Sequence, residues 1–346
     1  MNRRALLAAL LGAVSTAAIS ASRASRASGA SDASAASGVL DTSSASGNST
    51  HAHPPRRIVV LEWALTEMLL SIGVVPVGVA NTASFRRAYP TETLPSTVVD
   101  LGLMFQPNME LLLSLQPDLI VISPAHAALR ASLERLAPTV TFGHFRSSPT
   151  PYTAARDETL RLAQMLDCVS HAQTLLASAD RTLDDARTRL ASMPGAHNTP
   201  LYIVRFLDET HLRVYGAHSL FGEMLAALGL RNAWQGATNS GAYATIPFEA
   251  LEPASGTALL YQKPLPSSVV NMMKTSPLWA AMPFARAGHM IGMPGVPAEG
   301  TVPSAVYFVR TLMEALEQET THTGLADKER STHPEEAHDH TQEHEA

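Results

Sequence analysis

Two βα units constrain this chain more than any other feature. Arg57-Ile58-Val59-Val60-Leu61 is a β-branched run, and an apolar-periodic stretch continues from Glu62 to Ile72. Gly73 stops that stretch, and Val74-Val75-Pro76-Val77-Gly78-Val79 reads as the next strand. The second unit has a helical run, Gln106-Pro107-Asn108-Met109-Glu110-Leu111-Leu112-Leu113, then a Gln116-Pro117-Asp118 break and the strand Leu119-Ile120-Val121-Ile122-Ser123. Short strands alternating with amphipathic helices predict parallel sheets with crossover helices. Such sheets place ligands beyond the carboxyl ends of their strands.

The chain's 346 residues suffice for two globular domains. A net charge of -6 gives no basic footprint for nucleic acid, so none is expected as a partner. Asn2-Arg3-Arg4, followed by an apolar run to Ile19 and then by small residues, reads as an export signal within residues 1–30. The apolar run is short for a membrane anchor, the alternative reading. The Arg3-Arg4 pair suits a twin-arginine signal, and a general secretory signal also fits. Cys168 is the single cysteine, so neither an internal disulfide nor a lipid-modified N-terminal cysteine is expected. These readings predict a soluble, monomeric protein of the periplasm.

Residues 31–55, rich in Ser, Ala and Gly, read as a flexible leader. A first lobe spans residues 56–150. Residues 154–193 hold neither Gly nor Pro and carry apolar positions at helical spacing, which predicts a connecting helix across 151–194. One unbroken helix there would reach about 60 Å; two shorter helices broken near Cys168 to His171 are the alternative. A second lobe covers residues 195–318, and a polar tail rich in His and Glu covers 319–346 and reads as disordered. The fold class is therefore α/β, with two Rossmann-like lobes joined by a long backbone helix.

Six strings, taken in order, resemble the periplasmic ferric-siderophore binding proteins of ABC importers, most closely the ferrichrome and hydroxamate type. They are Arg57-Ile58-Val59-Val60-Leu61-Glu62-Trp63, Gly73-Val74-Val75-Pro76-Val77-Gly78-Val79-Ala80, Asp100-Leu101-Gly102-Leu103, Gln106-Pro107-Asn108-Met109-Glu110-Leu111-Leu112, Asn232-Ala233-Trp234-Gln235-Gly236 and Pro277-Leu278-Trp279-Ala280-Ala281-Met282-Pro283-Phe284. The resemblance implies two α/β lobes on one long helix, a ferric siderophore as cargo with no resident cofactor, and an inner-membrane ABC permease as partner. It implies no catalysis, and the sequence shows no Gly-x-Ser-x-Gly, His-Glu-x-x-His or phosphate-binding Gly loop. The same fold carrying haem, a corrinoid or another metal chelate is an alternative.

The resemblance weakens at the ligand site. Where the family has an arginine for the hydroxamate oxygens, this chain has Met104, and His126 stands at a family tyrosine. Its pocket tryptophans align near Ala88 and Gly241, and further aromatics near Pro297 and Glu299. From the residues themselves, Arg86, Arg87 and Tyr89 follow a strand end and suit an anionic, oxygen-rich chelate, or are surface residues. Met104 and Phe105 suit an apolar wall or a loop anchor. His126 suits a ligand hydrogen bond, a metal or plain surface; Tyr243 and Glu299 suit the opposite wall. The family docks on its permease through one acidic residue per lobe, which points to Glu110 and Glu249; both also suit helix starts. In the tail, His338, His340 and His344 suit weak divalent-metal binding, a metal-buffering alternative to transport, or simple solubilisation.

Overall fold

The computed structural model describes residues 53–193, 198–251 and 256–332, with side chains through 318. The expected export signal, most of the leader and the histidines His338, His340 and His344 lie outside the described residues.

The first lobe contains strands β1 (Ile58–Val60), β2 (Gly78–Val79), β3 (Val99–Asp100), β4 (Gly102–Leu103), β5 (Gln106–Pro107), β6 (Leu119–Ile122) and β7 (Thr139–Thr141). Its helices are α1 (Trp63–Ser71), α2 (Thr82–Ala88), α3 (Met109–Ser114) and α4 (Arg130–Leu133). Five of the strands form one sheet in the order β3-β2-β1-β6-β7, parallel throughout. Pro76 lacks the amide a ladder needs, and the second strand is confined to two residues beyond it. Gln106 and Pro107, expected to begin a helix, instead form a strand that pairs antiparallel with Leu103 and Gly102. The helix starts after them because Asn108 accepts the Leu111 amide at 3.0 Å and caps it.

Two helices, α5 (Pro151–Met165) and α6 (Val169–Ala191), connect the lobes. The chain thus takes the alternative of two helices in place of a single spine over residues 154–193, with the break at Leu166–Cys168, just before the expected Cys168 to His171. Asp167 takes a left-handed backbone, φ 54°, and the chain reverses there. Arg156 on α5 and Asp180 on α6 meet at 2.7 and 3.1 Å, which makes the pair an antiparallel hairpin. Folded back, α5 buries Ala155, Leu162 and Ala163 in the first lobe's core. Helix α6 is the true bridge, about 35 Å long. Its Ala172 packs in the first core, and Leu176, Ala179, Leu183 and Leu190 pack in the second.

The second lobe has strands β8 (Leu201–Phe206), β9 (His211–Tyr215), β10 (Tyr243–Pro247), β11 (Ala258–Lys263) and β12 (Met290–Pro294). Its helices are α7 (Leu220–Ala227), α8 (Ser267–Thr275), α9 (Pro277–Ala281), α10 (Pro283–Arg286) and α11 (Val302–Thr332). The sheet order is β10-β9-β8-β11-β12. Strand β9 runs antiparallel to both neighbours, so this lobe is mixed where the first is wholly parallel. Trp279 is buried among Phe206, Phe248 and Phe284, where it packs the second lobe's core. Helix α11 continues to Thr332, past residue 318 where the sequence reading ends the lobe; no proline interrupts it before Pro334.

Candidate functional site

In the first sheet β1 lies between β2 and β6, so the strand order reverses at the β1–β6 seam. Doubly wound sheets bind ligands outside that seam. Glu62 follows β1 there and Ser123 follows β6. Both are buried, and the Ser123 hydroxyl donates to Glu62 Oε2 at 3.2 Å. Arg146, in the one-turn helix His144–Ser147, donates from Nη1 to the same oxygen at 3.2 Å. Its Nη2 donates to Glu299, which comes from the second lobe just before α11. A cleft of about 330 Å³ opens over this group. Ser123, Gly143, Phe145 and Arg146 line one side, and His218, Tyr243 and Glu299 line the other. The Arg213 guanidinium sits 4.6 Å over the Tyr243 ring and holds it against that wall.

A second contact pins the same loop to the first lobe. Glu67, on α1, is wholly buried. Its carboxylate accepts from the Thr301 amide at 2.6 Å, the Thr301 hydroxyl at 2.7 Å, Ser304 at 2.5 Å and Thr91 at 2.6 Å. Thr301 and Ser304 open α11, so a carboxylate from one lobe caps a helix of the other. Burial pushes the Glu67 pKa up, and the four donors oppose that shift. Gly300 leaves room for this approach: a Cβ there would lie 2.0 Å from Ser304 Oγ and 3.2 Å from Glu67 Oε2.

Of the residues singled out from sequence, Tyr243 and Glu299 reach the cleft, with Tyr243 on strand β10 rather than a loop. Tyr89 does not. It stacks on Phe85 at 5.2 Å, one helical turn earlier, meets Trp63 edge-on, and is buried. Burial pushes its phenol pKa well up. Arg86 and Arg87 are exposed on α2 and donate to the Pro95 carbonyl and the Ser84 hydroxyl, and neither lines the cleft. Met104 packs half-buried against the Leu101 and Leu112 cluster, away from the cleft lining.

His126 lies beneath the cleft wall rather than on it, only 1% exposed. Pro124 opens a tight turn that folds the ring back, with Nδ1 2.9 Å from the Ser123 hydroxyl. The exposed Phe105 covers the ring at 4.9 Å. Burial holds the His126 pKa below the ordinary imidazole value, against the pull of Glu62 and of the Met104 and Ser123 backbones. Glu110, in the first turn of α3, and Glu249, in the turn Phe248–Ala250, are exposed on opposite lobes. Among the described residues, no group of three or more His, Cys, Asp or Glu side chains could hold a metal.

Glu62, Arg146 and Glu67 escaped the sequence reading. Glu62 alone carried a signal, as the carboxylate immediately after a strand. Arg146 and Glu67 gain meaning only from partners 84 and 234 positions away.

Comparison with known proteins agrees with this architecture. The family model described as periplasmic binding protein matches residues 58–297. The iron(3+)-hydroxamate-binding protein FhuD of Escherichia coli (strain K12) is 35% identical over 271 residues, 78% of this chain and 90% of that protein. The Fe(3+)-citrate-binding protein YfmC of Bacillus subtilis (strain 168) is 24% identical over 247 residues, 70% of this chain and 75% of that protein. Among solved structures, the siderophore-binding protein FhuD of Vibrio cholerae, bound to Fe3+-Desferal, superposes with a TM-score of 0.68 at 26% identity. That match covers 75% of this chain and 97% of the other. With the family model spanning both lobes and a relative matched over nine-tenths of its length, this chain belongs to the periplasmic binding protein family.

Proposed function

We propose that this protein captures a ferric hydroxamate chelate in the cleft between its lobes and delivers it to an ABC permease, with no chemistry on the cargo. One observation carries the reading: the relative matched over 90% of its length is an iron(3+)-hydroxamate-binding protein. The guanidinium that the cleft presents at the sheet's switch point fits it. A planar guanidinium suits chelate oxygens, which carry partial negative charge and accept two hydrogen bonds. The wall opposite adds the Tyr243 ring and phenol. Helix α6 is packed into both cores, which favours small lobe movements on binding over wide closure.

In this reading the protein works in the periplasm, which the export motif at residues 2–19 supports. There it acts as a monomer, with no nucleic acid among its partners. No helix among the described residues is long and apolar enough to cross a membrane. Glu110 and Glu249, exposed on separate lobes, are the proposed permease contacts.

Titration of the protein with ferrichrome, ferrioxamine B, a ferric catecholate, haem and cobalamin, followed by fluorescence quenching, tests the cargo. The hydroxamates are expected to bind. Binding of haem or cobalamin with neither hydroxamate bound would replace this reading with the same fold carrying another metal complex.

A further inference from the structure

We infer that Glu299 is an exchangeable internal partner of Arg146, and that a bound chelate takes its place, so ligand binding breaks an ion pair between the lobes. The inference rests on the hydroxamate reading above and deepens it. Arg146 is the one guanidinium among the residues lining the cleft. Its two terminal nitrogens are shared between two carboxylates of unequal standing. The Glu62 side chain is 7% exposed and also receives the Ser123 hydroxyl, so it is a fixed anchor. The Glu299 side chain is 49% exposed and lines the cleft. No protein hydrogen bond to it other than that from Arg146 is seen among the described residues.

The asymmetry decides which partner yields. Releasing Glu62 would strand a buried charge, which is strongly unfavourable. Releasing Glu299 returns a half-exposed carboxylate to water at little cost, since exposed ion pairs contribute little. The freed Nη2, with Nη1 still held on Glu62, then points a donor into the cleft. In this arrangement Glu299 competes with the cargo for one donor, and Glu62 is a positioning residue.

Equilibrium titration of wild type, Glu299→Gln, Arg146→Gln and the double variant with ferrioxamine B and ferrichrome tests this, with thermal melts on each. Glu299→Gln is expected to tighten binding about three- to tenfold, because a neutral amide competes less well for the guanidinium. Arg146→Gln is expected to weaken it at least about tenfold, the value of a charge-assisted hydrogen bond. The double variant is expected to match Arg146→Gln, since Glu299 acts only through Arg146. Arg146→Lys, which keeps the charge, serves if Arg146→Gln melts early; it is expected to show a smaller gain from Glu299→Gln than wild type. A gain in affinity on removing a carboxylate is a sign that mere structural damage does not produce. Unchanged or weaker binding in Glu299→Gln, or the same gain in the double variant, would overturn the exchange while leaving the hydroxamate reading intact. Failure of the wild type to bind either chelate would overturn both.

Discussion

Removing the Glu67 carboxylate should unhinge the two lobes more than any surface ion pair does. It accepts four hydrogen bonds of 2.5 to 2.7 Å, three of them from the first turn of α11. Net contributions of about 1.5–3 kcal/mol for each charged hydrogen bond would sum to far more than is realised, because the bonds share one acceptor and burying the carboxylate itself costs several kcal/mol. Glu67→Ala leaves the Thr301 amide and the Thr301, Ser304 and Thr91 hydroxyls without their acceptor, so a loss of about 3–5 kcal/mol is expected, as for breaking a buried charged network. At about 2–4 °C per kcal/mol for a domain of this size, the melting temperature should fall by roughly 6–20 °C. Glu67→Gln keeps one acceptor and should cost less. Gly300→Ala, whose new Cβ would meet Ser304 Oγ at 2.0 Å, should destabilise through the same contact. Urea unfolding, with Glu134→Ala at the exposed Arg130–Glu134 pair as a control of about 0–0.5 kcal/mol, gives the comparison. A Glu67→Ala protein within 1 kcal/mol of wild type would refute the view that this carboxylate joins the lobes.

Two further outcomes follow from buried groups outside the cleft. Burial and the charge of Glu67 raise the Glu92 pKa from 4.5 to about 7. The folded state therefore holds that proton more tightly than the unfolded state, and its stabilisation is complete below pH 4.5 and lost as pH rises towards 7. Glu92→Gln should flatten this fall by on the order of 1 kcal/mol after solvent screening, read from unfolding midpoints; an unaltered slope would count against the shift. Tyr89→Ala should cost about 3–5 kcal/mol of stability while chelate affinity stays within about twofold of wild type, as it should in Arg86→Ala and Arg87→Ala; an affinity loss in any of the three, measured well below the melting range, would return that residue to the ligand site.

The alternation of strand and helix, the apolar periodicity and the Gly and Pro stops made the α/β class and the two lobes readable from the chain alone, because these are local signals set by backbone geometry and by which face must be buried. The same locality put Gly73 at the end of its helix, where a positive φ is needed. Tertiary structure decided the rest. The sequence left one helix or two open over residues 154–193; the tertiary structure decided it, with Asp167 in a left-handed turn and α5 packing Leu162 and Ala163 on the first core. Tyr89 and His126 sit where strand-end logic expects ligand contacts, yet stacking on Phe85 and a hydrogen bond to Ser123 draw them beneath the surface. Arg146 and Glu299 lie 153 positions apart, and Glu67 and Thr301 lie 234 apart. Charges so distant in sequence leave no periodic trace, and their roles exist only once the folded lobes exclude water and bring them within hydrogen-bond reach.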